Sequence, residues 1–334
     1  TYAIAKADML IKGGNASGMK YGDTLSDDAF GGYEFDYVIS NPPFGIDWKR
    51  EKSQVEAEAK RGYDGRFGPG LPAISDGQML FMLNGVKKLK EGSGRMAIIQ
   101  NGSSLFTGDA GSGASEIRRY LIHEDLVEAI VQLPTDLFYN TGISTYIWVL
   151  TKGKLMSRSG RVQLIDASKC FVKRRKNIGS KRVDLDDACI DLILKAYEGF
   201  DQNEVYTADD LVVESKVFKN DFFGFTKVTV ETAQTDANGK LLLKKGKKLP
   251  VKGATDSEII PLSDDIDAYM AKNVLPYNPL AYIDPAKDKI GYEIPFTRLF
   301  YKFEAPEPSA SIFEDIKALE AKETVLMKEL FGNA

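Results

Sequence analysis

The sequence has few of the residues on which metal and nucleophile chemistry usually depend. Cys170 and Cys189 are its only cysteines, and His123 is its only histidine. A zinc site of four cysteines, or of two cysteines and two histidines, is therefore excluded within the chain, and a Cys-His dyad or Ser-His-Asp triad would have to use His123. We predict no metal site. The two cysteines are interpreted as buried thiols in a reducing compartment.

Long apolar runs and a strong net charge are also missing. No apolar stretch approaches the roughly 18 residues of a membrane-spanning helix. The 44 lysines and arginines nearly balance the 48 acidic residues. This argues against a surface that is basic throughout, but it is compatible with local basic patches. With 334 residues, 43% of them hydrophobic, the chain can form one large α/β domain or two smaller domains. We predict a cytoplasmic protein with no membrane partner.

Short apolar runs alternate with amphipathic segments in the first half of the chain, which is typical of a mainly parallel sheet covered by helices. This pattern predicts helices over 77–90 and 115–123. It predicts strands over 35–40, 95–100, 126–133 and 145–150. A strand is also expected before Asp23.

The composition changes after about residue 152. A hairpin is expected where 225–232 and 240–245 flank the turn from Asp236 to Gly239, because Asn-Gly tolerates positive φ. A last helix over 309–331 places apolar residues at three-to-four spacing. We therefore predict a catalytic domain over 1–152, an α+β extension with a basic hairpin over 153–308, and a carboxyl-terminal assembly helix over 309–334.

The sharpest local feature is Asn41-Pro42-Pro43-Phe44, here called the quartet, which follows directly on the strand expected over 35–40. Ligands of open α/β sheets bind at the carboxyl ends of strands. The lone pair of an exocyclic amine is delocalised into its ring, so a catalyst must draw that pair towards an attacking geometry. The side-chain oxygen of Asn41 and the carbonyl oxygen of Pro42 can each accept one N–H, and Phe44 offers a face to an unstacked base. A simple strand-ending turn is the alternative.

The string DYVISNPPFG, residues 36–45, resembles the catalytic motif of amino-group methyltransferases that use S-adenosylmethionine. Further segments resemble, in order, the modification (methyltransferase) subunit of type I restriction-modification systems. These segments are 1–13, 22–25, 75–106, 126–153, 165–173 and 291–308. The resemblance implies a Rossmann-like methyltransferase sheet of order 3-2-1-4-5-7-6, in which the strand over 35–40 is the fourth. It also implies transfer of a methyl group to adenine N6 in DNA.

Carried over residue by residue, the resemblance implies that the quartet binds the target adenine and that Asn41 also contacts the cofactor. Asp23 would contact the adenine moiety of S-adenosylmethionine, with an ordinary turn acid as the alternative. Phe138 would stack on the flipped base opposite Phe44. Its alternatives are a core aromatic, or an exchange of roles with Tyr139. Asn101 would line the pocket, unless it serves only the turn after its strand.

The glycine-rich cofactor loop of this family, and the acidic residue that holds the ribose, are missing from the sequence. In the family both precede the segment with which this chain begins. Their absence would leave a gap in the sheet between the strand before Asp23 and the strand before Asn41. We therefore expect these residues to be part of a longer protein, and the chain alone to be inactive.

Two basic clusters after residue 152 are candidates for contacts with DNA phosphates, with solvated strand edges as the alternative. The first is Lys169, Lys173, Arg174, Arg175 and Lys176, and the second is Lys240, Lys244, Lys245, Lys247, Lys248 and Lys252. The resemblance implies DNA, a specificity subunit and a restriction subunit as partners, with two modification subunits per specificity subunit. The helix over 309–331 would help to contact the specificity subunit.

Two other functions stay open. A protein-glutamine N-methyltransferase uses the same Asn-Pro-Pro-aromatic chemistry on an amide nitrogen. Alternatively, the chain is a DNA-binding and assembly fragment with no activity of its own, because it lacks the cofactor loop.

Overall fold

The computed structural model describes residues 2–303 and 305–332. The helices are α1 (Tyr2–Ile11), α2 (Lys52–Ala59), α3 (Gln78–Lys87), α4 (Ser103–Phe106), α5 (Gly113–His123), α6 (Asp187–Gly199), α7 (Ile266–Asn273), α8 (Phe296–Phe300) and α9 (Ser309–Phe331). The strands are β1 (Tyr37–Ser40), β2 (Arg95–Asn101), β3 (Val127–Gln132), β4 (Thr145–Thr151), β5 (Arg161–Lys169), β6 (Val172–Ile178), β7 (Lys181–Asp184), β8 (Asn203–Ala208), β9 (Leu211–Lys219), β10 (Gly224–Ala233), β11 (Leu243–Lys244), β12 (Lys247–Lys248), β13 (Pro250–Pro261), β14 (Ala281–Ile283) and β15 (Lys289–Tyr292). The chain divides into two compact units, Thr1–Phe296 and Thr297–Ala334.

A seven-stranded mixed sheet forms the centre of the first unit, in the order β1-β2-β4-β3-β5-β9-β8. β1 is parallel to β2 and β3 is parallel to β5, while β4 lies antiparallel between β2 and β3. The first four strands reproduce the 4-5-7-6 part of the order that the resemblance implies. β2, β3 and β4 bury large apolar side chains, among them Ile98, Ile130 and Trp148. The structure thus confirms the predicted α/β fold and its four strands. The prediction of a mainly parallel sheet is wrong, because two of the six strand pairings in this sheet are parallel and four are antiparallel.

β1 lies at one edge of this sheet. Among the described residues its strand neighbour is β2, and no strand precedes it. Tyr37 and Ile39 on β1 are 76% and 89% exposed. The strand expected before Asp23 is therefore wrong for the described part of the chain. Asp23 instead begins a tight turn, in which its carbonyl accepts the N–H of Asp27 at 2.8 Å.

The seven-stranded sheet crosses the predicted domain boundary at residue 152, because β5, β8 and β9 all follow that residue and pair within it. A second, four-stranded sheet surrounds β10, which pairs antiparallel with β13, β14 and β15. An α+β region therefore does follow β4, as predicted, but part of it completes the first sheet.

The expected hairpin between 225–232 and 240–245 is wrong in its pairing. β10 pairs with β13 instead, and β11 pairs with β12 in a small hairpin of its own. The turn of this small hairpin contains Lys245 with φ 51° and Gly246 with φ 77°. The predicted turn from Asp236 to Gly239 does form, with a bridge between Thr235 and Leu241. A second tight turn thus replaces the longer predicted pairing.

The second unit contains α9, which confirms the helix predicted over 309–331. Described by itself, α9 carries a stripe of apolar residues along its length, comprising Ile312, Ile316, Leu319, Leu326 and Leu330. Neither α9 nor any other helix within the described residues is both long and apolar enough to cross a bilayer.

A buried arginine joins the two sheets. Arg118 on α5 is 1% exposed, and its guanidinium donates to the carbonyl oxygen of Tyr292 on β15 at 2.6 Å. It also donates to the carbonyls of Ser104 at 3.2 Å and Thr107 at 3.0 Å. Burial lowers the pKa of Arg118 to about 10, so the side chain stays charged at neutral pH. Its hydrogen bonds therefore hold β15 against the segment that follows β2.

Replacing Arg118 by methionine should lower the free energy of unfolding by about 3 kcal/mol, because buried carbonyls lose their donors. Urea unfolding followed by circular dichroism measures this loss. The matched control is Arg119→Met, since Arg119 is a partly exposed neighbour that pairs with Glu116; we expect a change within about 0.5 kcal/mol there. Equal effects of the two substitutions would contradict a joining role for Arg118.

Candidate active site

Four strands bring their carboxyl ends to one edge of the first sheet. β1, β2, β3 and β5 all run in the same direction, because β4 is antiparallel to both of its neighbours. The segments that follow these strands therefore start at one edge, here called the carboxyl edge. They are the quartet after β1, α4 after β2, the loop 133–144 after β3 and the β6–β7 hairpin after β5.

The quartet is accessible at this edge. Asn41 and Pro43 are exposed, Phe44 is half-buried and Pro42 is buried. Trp48 then anchors the following turn, donating from its backbone N–H to the carbonyl of Ile74 at 3.1 Å and from its indole N–H to that of Ala73 at 3.0 Å. The buried proline and the anchored indole fix the backbone on which the Asn41 amide is presented. This arrangement can offer two oxygen acceptors to an incoming amine.

A polar network lies at the start of α3 and the end of β2. Gln78 is 1% exposed, and its amide nitrogen lies 2.8 Å from Asp76 Oδ2 and 2.7 Å from Asn101 Oδ1. Its amide oxygen accepts the backbone N–H of Asn101 at 3.0 Å, and the Ser103 hydroxyl donates to Asp76 Oδ2 at 2.8 Å. Asn101, predicted to line the pocket, thus uses its side chain within this network. The sequence analysis missed Asp76 and Gln78, whose only signal is a polar residue at the start of a helix that is otherwise apolar up to Leu83.

Asp23 caps its own turn. Its Oδ1 accepts the backbone N–H groups of Leu25 and Ser26, both at 2.9 Å, and the Ser26 hydroxyl at 3.0 Å. Arg66 holds the same turn from outside, since it donates to the carbonyls of Thr24 at 2.7 Å and Leu25 at 3.0 Å. The sequence analysis did not single out Arg66. The turn is therefore rigid, and part of the Asp23 carboxylate is already engaged.

A cavity of about 360 Å³ opens beside Asp23 and the exposed edge of β1. Its walls include Asp27, Asp28, Phe30, Phe35 and Ile39. Burial alone would raise the pKa of Asp28, but hydrogen bonds from Lys88 and from the backbone N–H of Phe30 hold that pKa below its ordinary value. The cavity thus combines aromatic rings with both carboxylates and the lysines Lys20 and Lys88, the second of which pairs with Asp28.

The two predicted stacking rings differ in their surroundings. Phe138 is half-buried and packs against a core cluster that includes Leu133 and Ile165. Tyr139 is 56% exposed, and Lys181 Nζ lies 5.3 Å from the centre of its ring. The assignment of the stacking role to Phe138 stays a prediction, and the structure places Tyr139 closer to solvent.

The two basic clusters centre on different hairpins, β6–β7 and β11–β12, while Lys169, Lys240 and Lys252 lie outside these hairpins. Lys173, Arg174 and Arg175 belong to β6 at the carboxyl edge, where Arg174 pairs with Asp184. Lys244 and Lys245 are exposed on the β11–β12 hairpin, whose Lys248 lies 5.1 Å from the ring centre of Tyr282 on β14. Only the first cluster therefore follows directly on a strand that ends at the carboxyl edge.

The cysteines do not act as nucleophiles in this arrangement. Cys170 and Cys189 are free and buried, and Cys170 Sγ lies 3.6 Å from the carbonyl oxygen of Cys189. Burial raises the pKa of Cys170 to about 12, which keeps it protonated at neutral pH. Within 2–303 and 305–332, no group of three or more histidine, cysteine or acidic side chains is arranged to hold a metal ion.

Comparison with known proteins places these features in context. Residues 1–238 match the sequence family described as N-6 DNA Methylase. The chain is 28% identical over 179 residues to the type I restriction enzyme MjaIX methylase subunit of Methanocaldococcus jannaschii, covering 53% of this chain and 31% of that protein. It is 26% identical over 279 residues to the HindI methylase subunit of Haemophilus influenzae, covering 82% of this chain and 59% of that protein.

A solved structure also resembles this one. The type I restriction-modification methyltransferase subunit from Streptococcus thermophilus aligns with a TM-score of 0.53 and 27% identity, over 66% of this chain and 42% of that chain. The chain spans 31%, 37% and 25% of the lengths of the first three curated relatives it matches.

Replacing Gln78 by methionine should destabilise the protein by about 1–3 kcal/mol, because the backbone N–H of Asn101 loses its acceptor and the side chains of Asp76 and Asn101 lose the amide donor that they share. Chemical denaturation measures the loss. Gln54→Met on the exposed face of α2 is the matched control, and its effect should stay within about 0.5 kcal/mol. If Gln78→Met unfolds at the same urea concentration as the parent, the network does not stabilise this edge.

Proposed function

The chain belongs to the N-6 DNA Methylase family, and on that premise we propose that it acts in a type I restriction-modification system, transferring a methyl group from S-adenosylmethionine to the N6 amine of adenine in DNA. The observation that carries this proposal is the quartet at the carboxyl end of β1, with the Asn41 amide exposed and Pro42 buried beneath it. The methylase-subunit relatives support the same reaction.

The quartet acts on the amine through its acceptors. The side-chain oxygen of Asn41 takes one N–H of the adenine amine, and the carbonyl oxygen of Pro42 takes the other. These two bonds draw the amine towards tetrahedral geometry, which withdraws the lone pair from conjugation with the ring and localises it on nitrogen, facing the methyl donor. They also stabilise the positive charge that grows on nitrogen as the bond to carbon forms. The new nitrogen–carbon bond would replace the carbon–sulfur bond of the donor, and the methylated nitrogen would lose one proton to solvent. The fixed φ of Pro42 and Pro43 preorganises both acceptors, and Phe44 supports the base by stacking.

The described residues fit part of the cofactor. S-adenosylmethionine, when bound, supplies a methyl group on positively charged sulfur. Asp23 and the carboxylates and aromatic rings of the neighbouring cavity suit its charge and its adenosine group. The sequence lacks the glycine-rich loop that the resemblance implies, and Asp23 Oδ1 already accepts three hydrogen bonds. We assign Asp23 to the cofactor through its other carboxylate oxygen, together with Asn41.

The partners follow from the same proposal. DNA would be held by the clusters that include Lys173, Arg174 and Arg175 on one hairpin and Lys244 and Lys245 on the other. The apolar stripe of α9 would contact the specificity subunit, and the restriction subunit would join the same complex, with two modification subunits per specificity subunit. We place this complex in the cytoplasm.

Replacing Asn41 by alanine should reduce methyl transfer by at least about 100-fold while leaving the thermal unfolding temperature unchanged, because one preorganised acceptor is lost at an exposed position. The measurement is transfer of radiolabelled methyl groups to DNA by the full-length protein, with its cofactor-binding segment, combined with its specificity subunit. Asn203→Ala is the control, since Asn203 is exposed at the start of β8, on the opposite edge of the sheet.

A variant with the parent rate would refute the role of Asn41. Label that appears on protein glutamine instead of DNA would favour the glutamine methyltransferase. A chain that binds DNA but gives no saturable signal in an S-adenosylmethionine titration would favour the assembly fragment, which the incomplete cofactor site also suggests.

A further inference from the structure

The side-chain amide of Asn101 is held in one orientation by the network of Asp76, Gln78, Asn101 and Ser103, here called the Gln78 network. Asn101 Oδ1 accepts the backbone N–H of Ser103 at 2.9 Å, and a backbone N–H can only donate. The backbone N–H of Asn101 donates to Gln78 Oε1 at 3.0 Å, and Gln78 Nε2 then donates to Asn101 Oδ1 at 2.7 Å. Because a flip of the Asn101 amide would break both bonds to Oδ1, its Nδ2 group points away from the network.

Gln78 is the member of the network that is sealed from water. It is 1% exposed, whereas Asp76, Asn101 and Ser103 are half-buried. Its Nε2 also donates to Asp76 Oδ2 at 2.8 Å and lies 2.5 Å from the Ser103 hydroxyl oxygen. Both ends of this buried amide are hydrogen-bonded, so its own orientation is fixed as well. Gln78 therefore acts on the solvent side of the network through Asn101.

The Nδ2 group of Asn101 is a hydrogen-bond donor that the fold itself does not use. Within residues 2–303 and 305–332 it donates to no acceptor, while Oδ1 of the same amide is fully engaged. It is not among the described buried side-chain atoms that lack a partner, so solvent reaches it. An amide that is bound at one end and open at the other is preorganised to donate to a ligand, since no rotamer freedom is lost on binding.

The Gln78 network is joined to the quartet through the backbone. The N–H of Gly77, which lies between the two network residues 76 and 78, donates to the carbonyl of Ile46 at 3.0 Å. Ile46 follows the quartet by two residues. Trp48 adds its two hydrogen bonds to the carbonyls of residues 73 and 74. The turn after the quartet and the segment that enters the network are therefore one hydrogen-bonded unit.

The pairing of β1 with β2 places Asn41 and Asn101 near each other at the carboxyl edge. Ser40 pairs with Ile98 in this parallel ladder, so Asn41 lies one residue beyond the pair and Asn101 three residues beyond it. Neighbouring strands lie about 4.8 Å apart and rise about 3.3 Å per residue, which separates the two backbones by about 8 Å. At this distance both side-chain amides can reach one base.

We propose that Asn101 Nδ2 donates a hydrogen bond to a ring nitrogen of the target adenine beside the amine, N1 or N7, and that Gln78 is the positioning residue that holds Asn101 for this task. The inference rests on the proposed function. The quartet supplies acceptors for the two N–H groups of the amine, and Asn101 supplies the donor for the neighbouring lone pair in the ring plane. The site then selects a base that combines an amine with an adjacent ring acceptor, since a base without that acceptor leaves the donor unpaired.

The acceptor on the base is tested with the full-length protein and its specificity subunit, on a duplex whose target adenine is replaced by 1-deazaadenine or 7-deazaadenine. Each analogue keeps the amine and replaces one ring nitrogen by C–H. Single-turnover methyl transfer by the parent should be about tenfold slower with the analogue that lacks the acceptor and within about threefold of adenine with the other, because one hydrogen bond is lost. The same analogue at an adenine outside the target is the control and should leave the rate unchanged.

The two residues are tested by substitution in the same assay. Asn101→Ala should slow transfer to adenine about tenfold and should no longer discriminate against the slower analogue, because both changes remove the same hydrogen bond. Gln78→Met should also slow transfer and lose discrimination, and it should add nothing to Asn101→Ala, because Gln78 acts through Asn101. A merely structural loss would lower the rates with adenine and with the analogue alike.

Asn203→Ala is the matched control, since Asn203 is exposed on the opposite edge of the sheet and should discriminate like the parent. Circular dichroism at the assay temperature confirms that each variant is folded. The analogue measurements on the parent need no substitution, so they test the donor even where a variant unfolds.

The outcomes separate this inference from the proposed function. The donor role is overturned if the parent methylates both analogues as fast as adenine, or if Asn101→Ala discriminates as the parent does. The positioning role is overturned if folded Gln78→Met keeps the discrimination of the parent or slows Asn101→Ala further. Transfer that depends on Asn41 but not on Asn101 leaves the proposed reaction standing and removes the donor. A parent that transfers no methyl group to adenine in DNA overturns both, since the donor needs that base.

Discussion

The common direction of β1, β2, β3 and β5 is the constraint on which the rest of the structure depends. β4 is antiparallel to both β2 and β3, so β3 runs in the same direction as β2. For this reason the segments that follow the four strands begin at one edge. The quartet, the Gln78 network, the loop with Tyr139 and the β6–β7 hairpin are far apart in sequence. The backbone ladders of the sheet, rather than any contact between these side chains, bring them to one edge.

The sequence predicted the elements whose signal is local. The strands that became β1 to β4 are runs of apolar residues with their own turn signals, and their order followed from the resemblance. The pairing of β10 was missed because it depends on β13, which begins seventeen residues after β10 ends, and on a second turn at Lys245 and Gly246 that competes with the first. Pairing over such distances is decided by packing across the sheet, which periodicity does not report.

The part of the candidate site whose role depends on residue type could be predicted from the sequence. The part whose role depends on neighbours in the folded structure could not. The quartet was recognisable from its letters and its place after a strand. Gln78 was not, because a glutamine in an apolar helix has no meaning until Asp76 and Asn101 are seen around it. The sequence also could not decide whether Phe138 or Tyr139 is better placed to stack on a base. That depends on which of the two neighbouring rings packs against the core cluster, and in the structure it is Phe138. Arg118 was likewise invisible, because its acceptors are backbone carbonyls from distant elements.

The outer side of β1 has a consequence for how this protein behaves in solution. An uncovered edge strand is a template on which a further strand can assemble. The exposed side chains of Tyr37 and Ile39 add apolar surface to this edge. The ion pair between Lys90 and Asp36, at 3.1 Å, places one pair of charges next to the start of the strand. Pairing of a second copy along this edge would be a bimolecular step, so its extent would rise with protein concentration.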